Sequence, residues 1–161
     1  MRSYPLSILI GVLLLSAVIA SRAVETAPVT IGRLLPNVKA SIDDGFFTLA
    51  EQQAYGILRA EPDEQTKYEA VQLLAHALWG QKRYTELIDL LEGRGDQAGY
   101  MYWRARARFE LKQYEAALQA LDAAGADMAE SLYAPSALRL KGHIEERIGR
   151  LDIAEASYLH F

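Results

Sequence analysis

The sequence predicts an all-α chain of tandem helix-turn-helix hairpins stacked into a solenoid. Three observations carry this expectation. Beyond Pro36, apolar residues recur at helical spacing almost throughout, interrupted by the short breaks that helical hairpins need. Four stretches then repeat one pattern, passing from a turn into an apolar-striped helix: 43–54 (DDGFFTLAEQQA), 80–91 (GQKRYTELIDLL), 111–122 (LKQYEAALQALD) and 148–159 (IGRLDIAEASYL). Aligned on Phe47, Tyr84, Tyr114 and Leu151, they are spaced by 37, 30 and 37 residues. Finally, small residues recur at fixed distances from these anchors.

The chain opens with a short polar stretch, Met1 to Pro5, carrying Arg2, followed by an uncharged, predominantly apolar run of fifteen from Leu6 to Ala20. Fifteen helical residues rise roughly 22 Å, short of the ~30 Å hydrocarbon core of a bilayer. With small residues at Ala20, Ser21 and Ala23, residues 1–23 have the form of a secretory signal peptide, cleaved after Ala20 or Ala23. The alternative is an uncleaved membrane anchor formed by residues 6–20. No cysteine follows the small residues, which closes the lipoprotein route. Residues 24–35 contain Pro28 and Gly32, show no sustained period, and are expected to be a linker.

Repeats are expected over 36–161: a partial first unit at about 36–63, then 64–95, 97–125, and 132–161, the last incomplete at its C-terminal end. Each anchor begins the second helix of a unit. Three residues later stand Ala50, Leu87, Ala117 and Ala154, and four further on Ala54, Leu91, Leu121 and Tyr158. A residue, its i+3 and its i+7 share one helical face, so this face packs inward. Nine residues before the last three anchors come Ala75, Ala105 and Gly142, each preceded by four positions by Val71, Met101 or Leu138. The small residue of the first helix is expected to face that of the second, because helices cross closely only where a side chain is little more than a methyl. The last second helix begins at Leu151, and no polar capping helix follows it. The expectation is that these residues are the N-terminal part of a longer protein, or that a partner covers the end.

The segment LAEQQAYGILRAEPD (49–63), closing on Pro62, and the stretch YWRARARFELKQYEAAL (102–118) carry a family likeness: over 36–161 the sequence resembles tetratricopeptide repeats. The resemblance implies a right-handed α-α superhelix whose first helices line a concave groove, and a role in assembling protein complexes. There are departures. The family's Leu before the small residue is matched by Leu74 but replaced by Arg104 and Lys141. Its Tyr three positions after the small residue is replaced by Leu78, Arg108 and Glu145, and its closing proline by Gly99 and Ala129 in the second and third units.

Within such a groove, the residues just after the small ones are His76, Arg106 and His143. One turn earlier lie Gln72, Tyr102 and Arg139, and one turn later Trp79, Phe109 and Glu146. The partner-binding groove is therefore expected at Gln72, His76, Trp79, Tyr102, Arg106, Phe109, Arg139 and His143. It suits an extended peptide with acidic or C-terminal carboxylate groups, Arg supplying charge-assisted bonds and the aromatics apolar anchors. The competing reading of Trp79 and Phe109 is that they close the core at the ends of the first helices.

Nothing in the sequence points to catalysis. His76, His143 and His160 lack the i, i+4 spacing of a helical metal site and are expected at the surface. Asp43-Asp44-Gly45 lacks the further acids of a calcium loop and is expected to be a helix end and turn. Phosphate-loop, dinucleotide and nucleophile-elbow motifs are absent from the sequence. Arg94-Gly95-Asp96 lies in a glycine-rich loop, where solubility accounts for it. No metal or cofactor is expected, and the absence of cysteine excludes disulfides and thiolate chemistry.

The 161 residues are 24% charged and 51% hydrophobic, as in a folded globular chain, with a net charge of −4. Without the first 23 residues the balance is 15 basic against 21 acidic, which speaks against a nucleic-acid partner. The expected function is that of a non-enzymatic, exported scaffold, periplasmic or extracellular, binding another protein or peptide in envelope assembly or secretion. Membrane contact is expected only through an uncleaved N-terminal segment. The alternative is the N-terminal adaptor of a longer enzyme or transport component whose activity lies beyond Phe161.

Overall fold

A computed structural model describes residues 31–159. The expected signal peptide at 1–23 with its alternative anchor at 6–20, the first part of the expected linker, and His160 lie outside the described residues. Among the described residues there are nine α-helices and no strand. They are α1 (Leu35–Asp43), α2 (Phe47–Arg59), α3 (Glu64–Gly80), α4 (Tyr84–Leu91), α5 (Ala98–Glu110), α6 (Tyr114–Ala123), α7 (Gly125–Glu130), α8 (Ala134–Arg147) and α9 (Leu151–Leu159). None of them is long and apolar enough to cross a membrane.

Eight of the nine form antiparallel hairpins, α1–α2, α3–α4, α5–α6 and α8–α9, and the second helix of each begins at Phe47, Tyr84, Tyr114 or Leu151. All four hairpins close with the same backbone device. Two residues before the anchor the chain turns left-handed, at Gly45 (φ +80°), Lys82 (+59°), Lys112 (+60°) and Gly149 (+81°). The next N–H then reaches back to a carbonyl five residues earlier: Phe46 to Ser41 (2.7 Å), Arg83 to Leu78 (3.0 Å), Gln113 to Arg108 (2.8 Å) and Arg150 to Glu145 (2.9 Å). This is the Schellman arrangement, which satisfies the last carbonyls of one helix while aiming the chain back along it.

Packing follows the apolar stripes. Each second helix lies against the first helix of its own hairpin and that of the next: α2 on α1 and α3, α4 on α3 and α5, α6 on α5 and α8. The core runs through these contacts, with Ala50, Ala54, Leu87, Leu91 and Ala117 fully buried on the second helices and Val71, Ala75, Met101 and Ala105 on the first. Gly142 is also buried, but what meets it differs from the expected small–small pairing. The space a Cβ would fill there is taken by the ring of Tyr158 on α9. Leu138 is only half-buried, in a cleft between α6, α7 and α8.

Polar contacts join successive hairpins. Arg83, in the second turn, bonds Glu51 of α2 and Glu86 of α4, each at 2.6 Å, and Gln81 adds a bond to Glu51 at 2.8 Å. Lys141 of α8 meets Asp122 of α6 at 2.8 Å. At the start of α3, just after Pro62, Asp63 accepts the Thr66 N–H at 2.9 Å and the Thr66 hydroxyl at 2.7 Å. This N-cap holds the Asp63 carboxyl below its ordinary range.

One expectation needs correction. The linker does not run to residue 35: Ile31–Leu34 form a 3-10 turn, Leu35 opens α1, and both Ile31 and Leu35 pack on the core. Their apolar side chains have a surface to cover, which a linker assignment from Gly32 overlooks. Between the third and fourth units, α7 packs on α5, α6 and α8 and buries Met128.

Candidate functional site

The first helices α1, α3, α5 and α8 lie side by side, each touching the next. Val38, Ala75, Ala105 and Gly142 hold these helices to the core, and the residue that follows each, about 100° further round its helix, turns toward one shared face. Those residues are Lys39, His76, Arg106 and His143, of which Lys39 and His143 are exposed and His76 and Arg106 half-buried.

Arg106 is the centre of this face. Its guanidinium carbon lies 4.0 Å above the Trp79 ring and 5.8 Å from the rings of Tyr102 and Trp103, and Nη1 donates to the Tyr102 hydroxyl at 3.0 Å. Ring stacking and one phenol hold the cation, and among the described residues no carboxylate lies within ion-pair distance of it. A half-buried guanidinium without an acid is positioned to accept one from outside.

Around it, Tyr102, Arg106, Phe109, Arg139 and His143 line one cleft of about 200 Å³ between α5 and α8, together with Glu110, Ser136 and Leu140. Five of the eight expected groove residues therefore meet in one place. The other three sit on α3 and join the cleft through Arg106 and Tyr102. Trp79 supplies the ring beneath the guanidinium. His76 lies tilted against Trp103, ring centroids 4.7 Å apart, and Trp103 in turn lies against Tyr102. The side-chain Oε1 of Gln72 accepts the Tyr133 hydroxyl hydrogen bond at 2.5 Å.

Several residues differ from expectation in detail. His76 is half-buried rather than a surface histidine. Burial pushes its pKa down, and the nearby Arg106 adds to the effect. Tyr102 is buried, stacked 4.7 Å from Tyr133, so its ring is already taken and only its hydroxyl serves Arg106. Gln72 is likewise engaged within the protein. Trp79 and Phe109 satisfy both competing readings, packing half-buried on the core while one meets Arg106 and the other lines the cleft. The Trp79 indole N–H is shut from solvent without an acceptor among the described residues. His143 is shared: its Nδ1 lies 3.0 Å from the Tyr158 hydroxyl and 3.7 Å from Glu146.

Lys39, Trp103 and Tyr133 were not anticipated. Lys39 had a signal, since it stands eight residues before Phe47, the same offset that places His76, Arg106 and His143 before their anchors. Trp103 is masked by its place in an aromatic run that covers more than one face of α5. Tyr133 lies outside the periodic pattern altogether.

The remaining motifs fall into turns. Asp43 pairs with Lys39 at 2.7 Å and Gly45 makes the left-handed turn of the first hairpin. Arg94-Gly95-Asp96 lies in the loop between α4 and α5, where the Arg94 side chain donates to the Leu90 carbonyl. Where the family has Tyr, Arg108 donates to the Ala116 carbonyl at 3.1 Å, and the buried Glu145 accepts from Ser157 at 2.8 Å. These side chains tie a first helix to its own second helix and do not reach the cleft.

Comparison with protein-family models, with curated proteins and with solved structures gives no match for this chain.

Proposed function

We propose that the chain is an exported helical-repeat scaffold of the tetratricopeptide type, a right-handed solenoid that captures another protein or peptide in the groove of its first helices. The compartment is the periplasm or the extracellular space, and the process is envelope assembly or secretion. The reading does not involve catalysis: the groove offers a cation, hydrogen-bond donors and ring faces, which are instruments of binding.

The observation that carries the reading is the guanidinium of Arg106, without a carboxylate partner among the described residues and held over Trp79 at the middle of a face to which all four hairpins contribute. The four like turns and the 37-, 30- and 37-residue spacing of the anchors support the repeat architecture. The leader-like residues 1–23 support export.

The test is reversal of the central charge. Arg106→Glu is expected to reduce capture of an acidic peptide by immobilised protein while the helical circular dichroism spectrum stays as in the parent. Undiminished capture by a folded Arg106→Glu protein would remove the groove from the account.

A further inference from the structure

We propose that the cleft between α6, α7 and α8 is a binding site for a small amphiphile, an alkyl chain ending in an uncharged polar head. The site stands apart from the groove of the first helices: none of the eight residues expected there lines it.

The cleft arises at a long connection. Residues 60–63 join the first hairpin to the second and 92–97 the second to the third, whereas 124–133 join the third to the fourth and fold into α7. Packed on both α6 and α8, α7 forms a third wall beside their junction. One equivalent position shows the consequence. Four residues before the small residue of its helix, Val71 or Met101 is fully buried, whereas Leu138 is half-buried and faces the cleft.

Walls and rim differ in chemistry. Leu121 of α6, Met128 of α7, and Ala137 and Leu138 of α8 present apolar groups, and the Met128 thioether adapts to the shape of what it meets. Lys141 and Asp122 also line the cleft, partly exposed and paired at 2.8 Å. Lys141 stands where the second hairpin has the fully buried Leu74, so a charged end replaces an apolar one at this junction. Its ammonium carries three N–H groups and uses one on Oδ1 of Asp122, while Oδ2 has no partner among the described residues. Donors and an acceptor are thus open to a hydroxyl or an amide. The pair sums to zero charge. A ligand carboxylate meets Asp122 as well as Lys141, and a ligand ammonium meets the reverse, so an uncharged head fits best.

Size selects a slender occupant. The cleft measures about 300 Å³. Two turns of an α-helix, about 10 Å across and about 11 Å long, fill roughly 850 Å³ and do not enter. At about 30 Å³ for each methylene-sized group, the share of one water in the liquid, the cleft holds a chain of about ten. An apolar cleft of this size with a few convergent polar groups has the form of a small-molecule site.

The experiment titrates the full chain, isotope-labelled at its methionine methyls, with the primary alkanols hexanol, octanol and decanol, and follows the methyl resonances. Met128 lines the cleft, while Met101 is buried in the core on α5 and serves as the internal reference. The Met128 methyl is expected to shift saturably and the Met101 methyl to stay in place. Affinity is expected to rise about three- to four-fold for each added methylene. Leu138→Trp, which fills the cleft with a ring, is expected to abolish the shift. Leu49→Trp, at an exposed leucine of α2, is expected to leave it unchanged. Octanoate and octylammonium are each expected to bind at least about three-fold more weakly than octanol. A Met128 methyl that does not move, or an affinity independent of chain length, would overturn the site. So would equal shifts at Met101 and Met128, which would mean general loosening of the core, and so would undiminished binding by a folded Leu138→Trp protein. Octanoate binding tighter than octanol would overturn the uncharged head.

Discussion

The guanidinium of Arg106 on α5 lies 4.0 Å above the indole ring of Trp79 on α3. This contact joins two hairpins across the face proposed to bind, so it serves both the fold and the site. A cation over an indole contributes roughly 0.5–2 kcal/mol, rising with desolvation. Denaturant unfolding of Trp79→Leu, Arg106→Gln and the double variant is expected to give a coupling energy within that range. Additive effects would mean that the two side chains do not support each other.

The repeated turns make a second prediction, separate from packing. Gly149 (φ +81°) has open space where a Cβ would stand, so Gly149→Ala incurs only backbone strain, about 1–2 kcal/mol. Lys112 holds a similar conformation (φ +60°) and already carries that strain. Lys112→Gly is therefore expected to be neutral or slightly stabilising, through relief of strain against the added freedom of the unfolded chain. Melting temperatures that fall equally for both variants would contradict the account of the turn.

His76 gives a pH dependence of definite sign. Its folded pKa lies below the ordinary 6.5, first through burial and then through Arg106 and Lys39, with Asp43 opposing. Below pH 6.5 the unfolded chain therefore binds a proton that the folded chain refuses. Stability is complete above 6.5 and declines as pH falls from there toward the folded pKa. His76→Phe is expected to flatten this part of the pH profile of denaturant unfolding. Asp63, whose pKa is depressed below 3.8, acts in a separate window, its contribution being lost as the pH falls further. An unchanged slope in His76→Phe would show that the ring is not desolvated as described.

Close packing of the hairpins rests on small side chains. Ala117 on α6 is fully buried, and Ala117→Leu adds three carbons where there is no room. The expected loss is about 1–3 kcal/mol. A melting temperature equal to the parent's would show that α5 and α6 do not approach at Ala117.

Much of this fold is readable from periodicity, because the same steric demand recurs in every hairpin. The starts of the second helices at Phe47, Tyr84, Tyr114 and Leu151 follow from the turn-to-stripe transition, and the burial of Ala75 and Ala105 from their fixed offset. What escapes the pattern is local. The 3-10 turn at Ile31–Leu34 and helix α7 are set by apolar side chains finding tertiary surface, which leaves no periodic trace. Tyr102, Arg106, Phe109, Arg139 and His143, expected together from their offsets to the anchors, line one cleft between α5 and α8. The engagement of Gln72 by Tyr133 was illegible because it joins residues sixty-one apart, through a tyrosine outside the repeat. Lys39 was legible and simply requires the offset to be carried back to the first hairpin.

The most direct test of the binding face is chemical-shift mapping of the isotope-labelled chain titrated with an acidic peptide. The account predicts saturable shifts at the Trp79 indole and at Lys39, His76, Arg106 and His143, on four helices at once. Shifts confined to the opposite side, around Leu121, Met128 and Leu138, would contradict it.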